Sequence, residues 1–262
     1  MTSQTKSIIS FKAPLYEKPQ MCNEIETECL FGEKFSIIEK KNEWIYGELK
    51  TDNYLGWINQ ECLGKNNLTT HKVILKNTNI YKESSPKSIV LQKLSLGSLL
   101  NIIDIKNNWG EVMFFSQSRK VKGFVPLEHV SEIICIDYKW IETCRQMINT
   151  PYVWGGRTFE GIDCSALLQI SMRNSGINMP RNTSEQIKYM GLSNNFRYVK
   201  LNDKENFLKG TVIFWPGHVG IISKKNILLH ANAFHMRVVE EPISIALNRF
   251  KENNLNPIKA YI

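Results

Sequence analysis

No pair among the six cysteines forms C-x-x-C, which removes the zinc-knuckle and thioredoxin-type readings. No H-x-x-x-H or comparable Cys/His spacing occurs either, so neither a catalytic metal nor any other cofactor is expected. Cys22, Cys29, Cys62, Cys135, Cys144 and Cys164 are scattered through 262 residues of which 42% are hydrophobic. A chain that can build sizeable cores has little need of a disulfide scaffold, so most of these read as buried small hydrophobes in a reducing compartment. No window approaches the roughly 18 apolar residues of a membrane-spanning helix. Met1-Thr2-Ser3-Gln4-Thr5-Lys6 is not followed by a signal-type apolar run, so a complete chain is expected in the cytoplasm. The formal charge of +8 comes from a diffuse, Lys-, Asn- and Ile-rich composition without a block of like charges. It predicts neither a nucleic-acid nor a membrane partner.

The first half holds a repeat. Phe31-Gly32-Glu33-Lys34-Phe35-Ser36-Ile37-Ile38 matches Leu96-Gly97-Ser98-Leu99-Leu100-Asn101-Ile102-Ile103. Gly32 and Gly97 are 65 residues apart, as are Trp44 and Trp109. Gly56 and Gly123 are 67 apart, which predicts a slightly longer loop in the second copy. Each copy is a series of short β-runs, Phe35–Ile38, Trp44–Leu49 and Tyr54–Ile58 in the first, divided by turns, as in a small barrel. The order Gly, β-run, Trp, β-run, then Gly plus an aromatic resembles bacterial Src-homology-3-like domains. Trp44, Trp57 and Trp109 are expected in barrel cores.

From about Ile136 the texture changes. Tyr138 to Ile148 is helical in pattern, and Pro151 blocks continuation. Cys164 to Ser175 reads as a second helix with Asp163 as N-cap and Gly176 as stop. Thr183-Ser184-Glu185-Gln186 has the form of a capping box opening a third. Beyond Gly210 the runs become strands: Thr211–Phe214, Val219–Ser223, Ile227–His230 and Arg237–Glu240. Helices followed by strands give an α+β domain. The expected domains are 1–66 and 67–135, two small all-β barrels, and 136–262, the α+β domain.

Cys164 opens its helix, where unpaired amides and the helix dipole favour a thiolate and could hold an oxyanion. The alternative is an inert helical Cys. His218, in Pro216-Gly217-His218-Val219-Gly220-Ile221, follows a turn and begins a strand, so it can face a cleft as the base. The alternative is a surface-turn His. His230 ends the next strand of the hairpin and is the candidate for orienting the His218 ring. Asn232 could serve instead, and His235 is a weaker candidate.

Tyr152-Val153-Trp154-Gly155-Gly156, Asp163-Cys164-Ser165-Ala166-Leu167-Leu168-Gln169, Pro180-Arg181, Gly217-His218-Val219-Gly220-Ile221 and Leu229-His230-Ala231 resemble the NlpC-type, papain-like cell-wall cysteine peptidases. The resemblance spans most of residues 138–262. It implies a papain-like fold, with Cys164 as nucleophile, His218 as base and His230 as orienting group. Ala166 stands where the family usually has Gly. With two barrels in front, the chain is similar to the γ-D-glutamyl-L-diamino acid endopeptidases of murein recycling. Those cut between D-Glu and the diamino acid in released peptides that begin with L-Ala-γ-D-Glu, so a small murein peptide is the implied partner. A free amine is required in that family because the first barrel blocks the site beyond L-Ala.

The resemblance carries Tyr152, Asp163 and Ser165 into substrate binding and aligns Glu33 and Tyr54 near an amine-recognising Glu and Tyr. Asp163 can hold an ammonium, cap its helix, or do both. Tyr152 either donates to a substrate carboxylate or packs in a core with its hydroxyl exposed. Arg181 either neutralises an α-carboxylate or is a solvated surface residue. Competing readings are a peptide-binding scaffold without turnover and a thiol-dependent amidase or acyltransferase on another substrate.

Overall fold

The computed structural model describes residues 4–21, 24–116, 119–136, 139–199 and 207–262. Cys22, Asp137 and Tyr138 lie outside them. The chain divides into two compact units, Met1–Ile136 with Arg157–Phe159, and Asp137–Gly156 with Glu160–Ile262. The architecture is mixed α+β: a β-rich SH3-type region followed by a papain-like domain.

In the first unit the repeat is visible residue by residue. The strands Lys34–Lys41, Trp44–Leu49 and Tyr54–Asn59 form an antiparallel meander closed by a 3₁₀ turn at Gln60–Cys62. Ile102–Lys106, Trp109–Ser116 and Arg119–Pro126 do the same, closed by a turn at Leu127–His129. Gly32 and Gly97 share a φ of 83°. A bulge at Ile37/Glu39 recurs at Ile102/Asp104. Two-residue connections precede both tryptophans. Asn42 has φ 53° in the first, and Asn107 and Asn108 have φ 49° and 62° in the second, the left-handed pair of a type I′ hairpin.

The longer spacing in the second copy is not a longer loop. Leu49 pairs with Tyr54 in the first copy, whereas pairing in the second continues to Ser116 and Arg119. Both strands are longer and the connection is shorter, because extra ladder hydrogen bonds satisfy backbone groups that a loop would leave to water.

Ile8, Leu15, Phe35, Leu49 and Ile58 fill the first core, and Val73, Ile80, Leu94, Val112 and Val125 the second. Phe31 leaves the first barrel to join the second core. Gly32 permits this approach: a Cβ there would stand 2.0 Å from the Leu99 carbonyl oxygen. Trp44 is buried, but Trp57 and Trp109 are half-buried and pack edgewise or tilted on Tyr46 and Tyr81 at the barrel margin.

Glu33, aligned with an amine-recognising Glu, is not open to a ligand. It is fully buried and forms a bidentate pair with Arg157, Nη1–Oε2 3.0 Å and Nη2–Oε1 3.1 Å. It also accepts from the Leu30 amide at 2.7 Å and Thr51 Oγ1 at 2.8 Å. A carboxylate with its lone pairs so engaged has no free position for a substrate ammonium. Tyr54 is half-buried, and its hydroxyl donates to Glu26 Oε2 at 2.9 Å.

In the second unit, helices α1 (Trp140–Gln146), α2 (Cys164–Asn174) and α3 (Thr183–Leu192) precede an antiparallel sheet. Val212–Trp215, His218–Lys224 and Ile227–Asn232 are adjacent within it, and Arg237–Pro242 forms the edge beside Ile227–Asn232. The strand half also contains a helix that the pattern reading did not assign, α4 (Ile243–Glu252). Helix α4 buries Ile243 and Ala246 against Ile213, Trp215, Ile222 and Leu228 of the sheet. Helix α2 is buried along almost its whole length and packs on the two strands that carry His218 and His230. The capping box expected at Thr183 does not form. Asn182 occupies the N-cap position, and buried Gln186 instead donates to the carbonyls of Ser165 at 2.9 Å and Pro180 at 2.8 Å.

Candidate active site

Asp163 leaves the helix with φ −97° and ψ 176° and caps α2, accepting from the Ala166 amide at 2.8 Å. Cys164 is therefore the first helical residue, 6% exposed. Its Sγ lies 4.0 Å from the Gly217 carbonyl oxygen. The turn that brings this carbonyl in requires φ 69° at Gly217, a left-handed conformation that disfavours any side chain.

The thiol is not poised as a thiolate. Burial, and then the Asp163 carboxylate, push it up to about 12. Hydrogen bonds from the backbone at Val219 and Ser165 and the charge of Arg181 oppose this without overcoming it. The helix-terminus argument identifies the right position, but in a dry site the desolvation of an anion outweighs a terminal dipole.

His218 begins the next strand, with its ring enclosed by Trp215, His230 and Phe250. Burial first, then His230 and Arg249, lower it to about 3. The resting pair is thus thiol and neutral imidazole. His218 Nε2 lies 2.9 Å from His230 Nδ1. His230 is fully buried and its Nε2 lies 2.8 Å from Glu241 Oε1. Burial lowers His230 despite that carboxylate.

Glu241 bonds to the Arg249 guanidinium, with Nη1–Oε2 at 3.0 Å and Nη2 on Oε1. Hydrogen bonds from His230 and Arg249 outweigh burial and bring its carboxyl down to about 2. Between the two candidate orienting groups, His230 and not Asn232 meets the His218 ring. Asn232 accepts through Oδ1 from the His235 amide at 2.8 Å, and His235 stays on that turn.

Arg181 is neither on the surface nor open to a ligand carboxylate. At 2% exposure it pairs with Asp163, Nη1–Oδ1 3.0 Å and Nη2–Oδ2 2.5 Å, and donates to Ser165 Oγ at 2.7 Å. Asp163 also accepts from Ser165 Oγ at 3.1 Å and the Gly155 amide at 3.0 Å. The side chains of Asp163, Ser165 and Arg181 therefore form one buried network beside the thiol. Tyr152 is half-buried. Burial first, then the nearby Cys164 and Asp163, hold its phenol well above its usual range, so it stays a protonated donor beside the thiol.

The site residues the sequence reading did not find are Glu241 and Arg249. Their signal was present: Ile243, Ala246, Leu247 and Phe250 follow helical spacing and would have put Arg249 one helix after Glu241. His230, His235 and Glu241 place ligand atoms within 4.8 Å of one another. Glu241 is already neutralised by Arg249 and bonded to His230, so a hydrogen-bonded chain accounts for the grouping.

A cysteine at a helix N-terminus, two imidazoles on adjacent strands and an antiparallel sheet behind them define a papain-like cysteine peptidase. The NlpC/P60 family model matches residues 149–249, and the model for the bacterial dipeptidyl-peptidase SH3 domain matches 15–63. The chain thus carries an NlpC/P60 cysteine peptidase domain preceded by an N-terminal bacterial SH3 domain.

Among curated relatives, Dipeptidyl-peptidase 6 of Lysinibacillus sphaericus is 25% identical, with 86% of each chain covered. The γ-D-glutamyl-L-lysine dipeptidyl-peptidase of Bacillus subtilis is 27% identical over 63% of this chain and 58% of that protein. A crystal structure of an NlpC/P60 family protein from Bacillus cereus superposes with a TM-score of 0.75 at 17% identity, covering 92% and 94% of the two chains.

Proposed function

We propose that this peptidase hydrolyses the γ-D-glutamyl-L-diamino acid bond of murein peptides with a free N-terminal L-Ala, releasing L-Ala-D-Glu in peptidoglycan peptide recycling. The observation that carries the catalytic half is the bracketing of the Cys164 thiol by the neighbours of His218. Gly217 offers its carbonyl and Val219 its backbone hydrogen bond to Sγ. The His218 nitrogen not bonded to His230 is Nδ1, and this is the base. The substrate half is supported by the names of the relatives, since a dipeptidyl-peptidase removes two residues from a free N-terminus.

The steps follow from the groups present. His218 Nδ1 takes the thiol proton as Sγ attacks the D-Glu γ-carbonyl carbon. Backbone amides at the start of α2 stabilise the oxyanion. The diamino-acid amine leaves with the proton from His218, and water hydrolyses the thioester to release the dipeptide and restore the thiol. Tyr152 donates its hydroxyl to a substrate carboxylate. Asp163 and Ser165 shape the floor beside the scissile bond, and Arg181 acts by holding them.

Mass spectrometry of L-Ala-γ-D-Glu-meso-diaminopimelate and its L-Lys counterpart incubated with the protein tests this reading. An N-blocked twin and the Cys164→Ala variant serve as controls. L-Ala-D-Glu released from the free peptides alone is the expected result. Cleavage of the blocked twin removes the amine requirement, and no cleavage of either peptide overturns the assignment.

A further inference from the structure

We propose that Glu241, held by Arg249, is a positioning residue that fixes the tautomers of both histidines and so leaves His218 Nδ1 with the lone pair that accepts the thiol proton. This rests on the reading of Cys164 as nucleophile and His218 as base. The argument is a count of protons. An ionised carboxylate only accepts, and both Glu241 oxygens already face Arg249. At 2.8 Å from Glu241 Oε1, His230 Nε2 must be the donor and carry the proton.

A neutral imidazole has one N–H, so His230 Nδ1 is then an acceptor. His218 Nε2, 2.9 Å away, must supply the hydrogen, and its Nδ1 is left bare. Asn232 Nδ2 stands 2.9 Å from the same His230 Nε2 and, as a donor, would favour the opposite tautomer, while the Asn232 oxygen is used by the His235 amide. A charge-assisted bond to the Glu241 carboxylate at 2.8 Å outweighs one from a neutral amide, so the carboxylate sets the direction of the chain. In the reversed tautomer His218 Nδ1 would carry a proton toward the thiol and could not act as base. When His218 becomes imidazolium during attack, the same chain leads its charge toward Glu241.

The role belongs to a residue that touches neither thiol nor substrate, and two measurements on the full chain decide it. The first is ring ¹⁵N NMR of uniformly labelled wild-type protein at pH 7. Both His218 and His230 are expected neutral with the proton on Nε2, and a proton on Nδ1 of either ring overturns the proposal. The second is Glu241→Gln, which keeps the size of the side chain but can turn either an acceptor or a donor to His230. We expect kcat on the tripeptide to fall about 10²-fold with KM nearly unchanged, and Glu241→Asp to recover part of it. Iodoacetamide alkylation of Cys164 at pH 7 should slow in parallel. Unchanged kcat and unchanged alkylation in Glu241→Gln overturn the proposal. Should the peptide not be cleaved by the wild type, the substrate assignment fails, while ring NMR and alkylation still decide the role of Glu241.

Discussion

The catalytic unit contains two carboxylate–arginine pairs next to its chemistry, one buried and one part-buried. Asp163–Arg181 stands beside the thiol, and Glu241–Arg249 beside the second histidine. The chemistry of the pairs is alike, but their tasks differ. Asp163 is spent on backbone and hydroxyl donors as well as arginine, so it fixes the first turn of α2 and raises the thiol as a side effect. Glu241 spends one oxygen on an imidazole. An ion pair thus becomes architectural or chemical according to what its remaining lone pairs meet.

The comparison can be broken at several levels. The reference is Cys164→Ala, which should abolish peptide release while circular dichroism and thermal melting stay close to wild type. Residual turnover near wild-type rates would remove the premise that these pairs serve a thiol.

Asp163→Asn comes next. It strands the Arg181 charge and should cost about 3–5 kcal/mol, read as a loss in denaturant midpoint. Replacing Arg181 by Met as well should return part of that stability. If Asp163→Asn instead melts like wild type, the pair is not architectural. Glu241→Gln should show the opposite balance, with a stability cost of only about 1 kcal/mol beside its loss of kcat.

Smaller again is the effect of acid. His218 and His230 have folded-state values below 6.5, so below pH 6.5 the unfolded chain binds more protons and stability falls with pH. Glu241, depressed to about 2, adds stability that is complete above pH 4.5 and is lost as pH falls toward 2. Melting temperature should be level above neutrality and drop by about 4 °C or more between about pH 7 and 5. The rate has its own sign: a base held at about 3 stays neutral in mild acid, so the acid limb of kcat/KM should lie well below 6.5. An acid limb centred near 6.5 would mean that burial does not control His218. The smallest change is Ala166→Gly, inside the cap that Asp163 makes. It should cost about 0.5–1 kcal/mol in melting and leave kcat alone.

Legibility in the sequence followed the range of the interactions. The barrel repeat, the N-cap at Asp163 and the position of Cys164 are local patterns of period or spacing, and all were readable. His218 and His230 were readable because a hairpin puts nearby residues on adjacent strands. Pairs that join distant segments were not: Glu33 with Arg157, Asp163 with Arg181, and Gln186 with the Ser165 carbonyl. Each looked like a surface or capping residue because its partner is fixed only by tertiary packing. Glu241 and Arg249 were missed for a different reason. The strand reading stopped at Glu240, whereas Pro242 is the N-cap of a helix that follows the last strand.

The hairpin of the second barrel has a further consequence. Relative to the first copy each arm gained two residues, and two is the period of a strand, so every side chain beyond the insertion kept its side of the sheet. The arms Trp109–Ser116 and Arg119–Pro126 therefore behave as an extensible ruler graduated in pairs. Epitopes or reporter segments grafted there in even steps per arm should leave the barrel intact, whereas a single added residue in one arm would turn its core face outward.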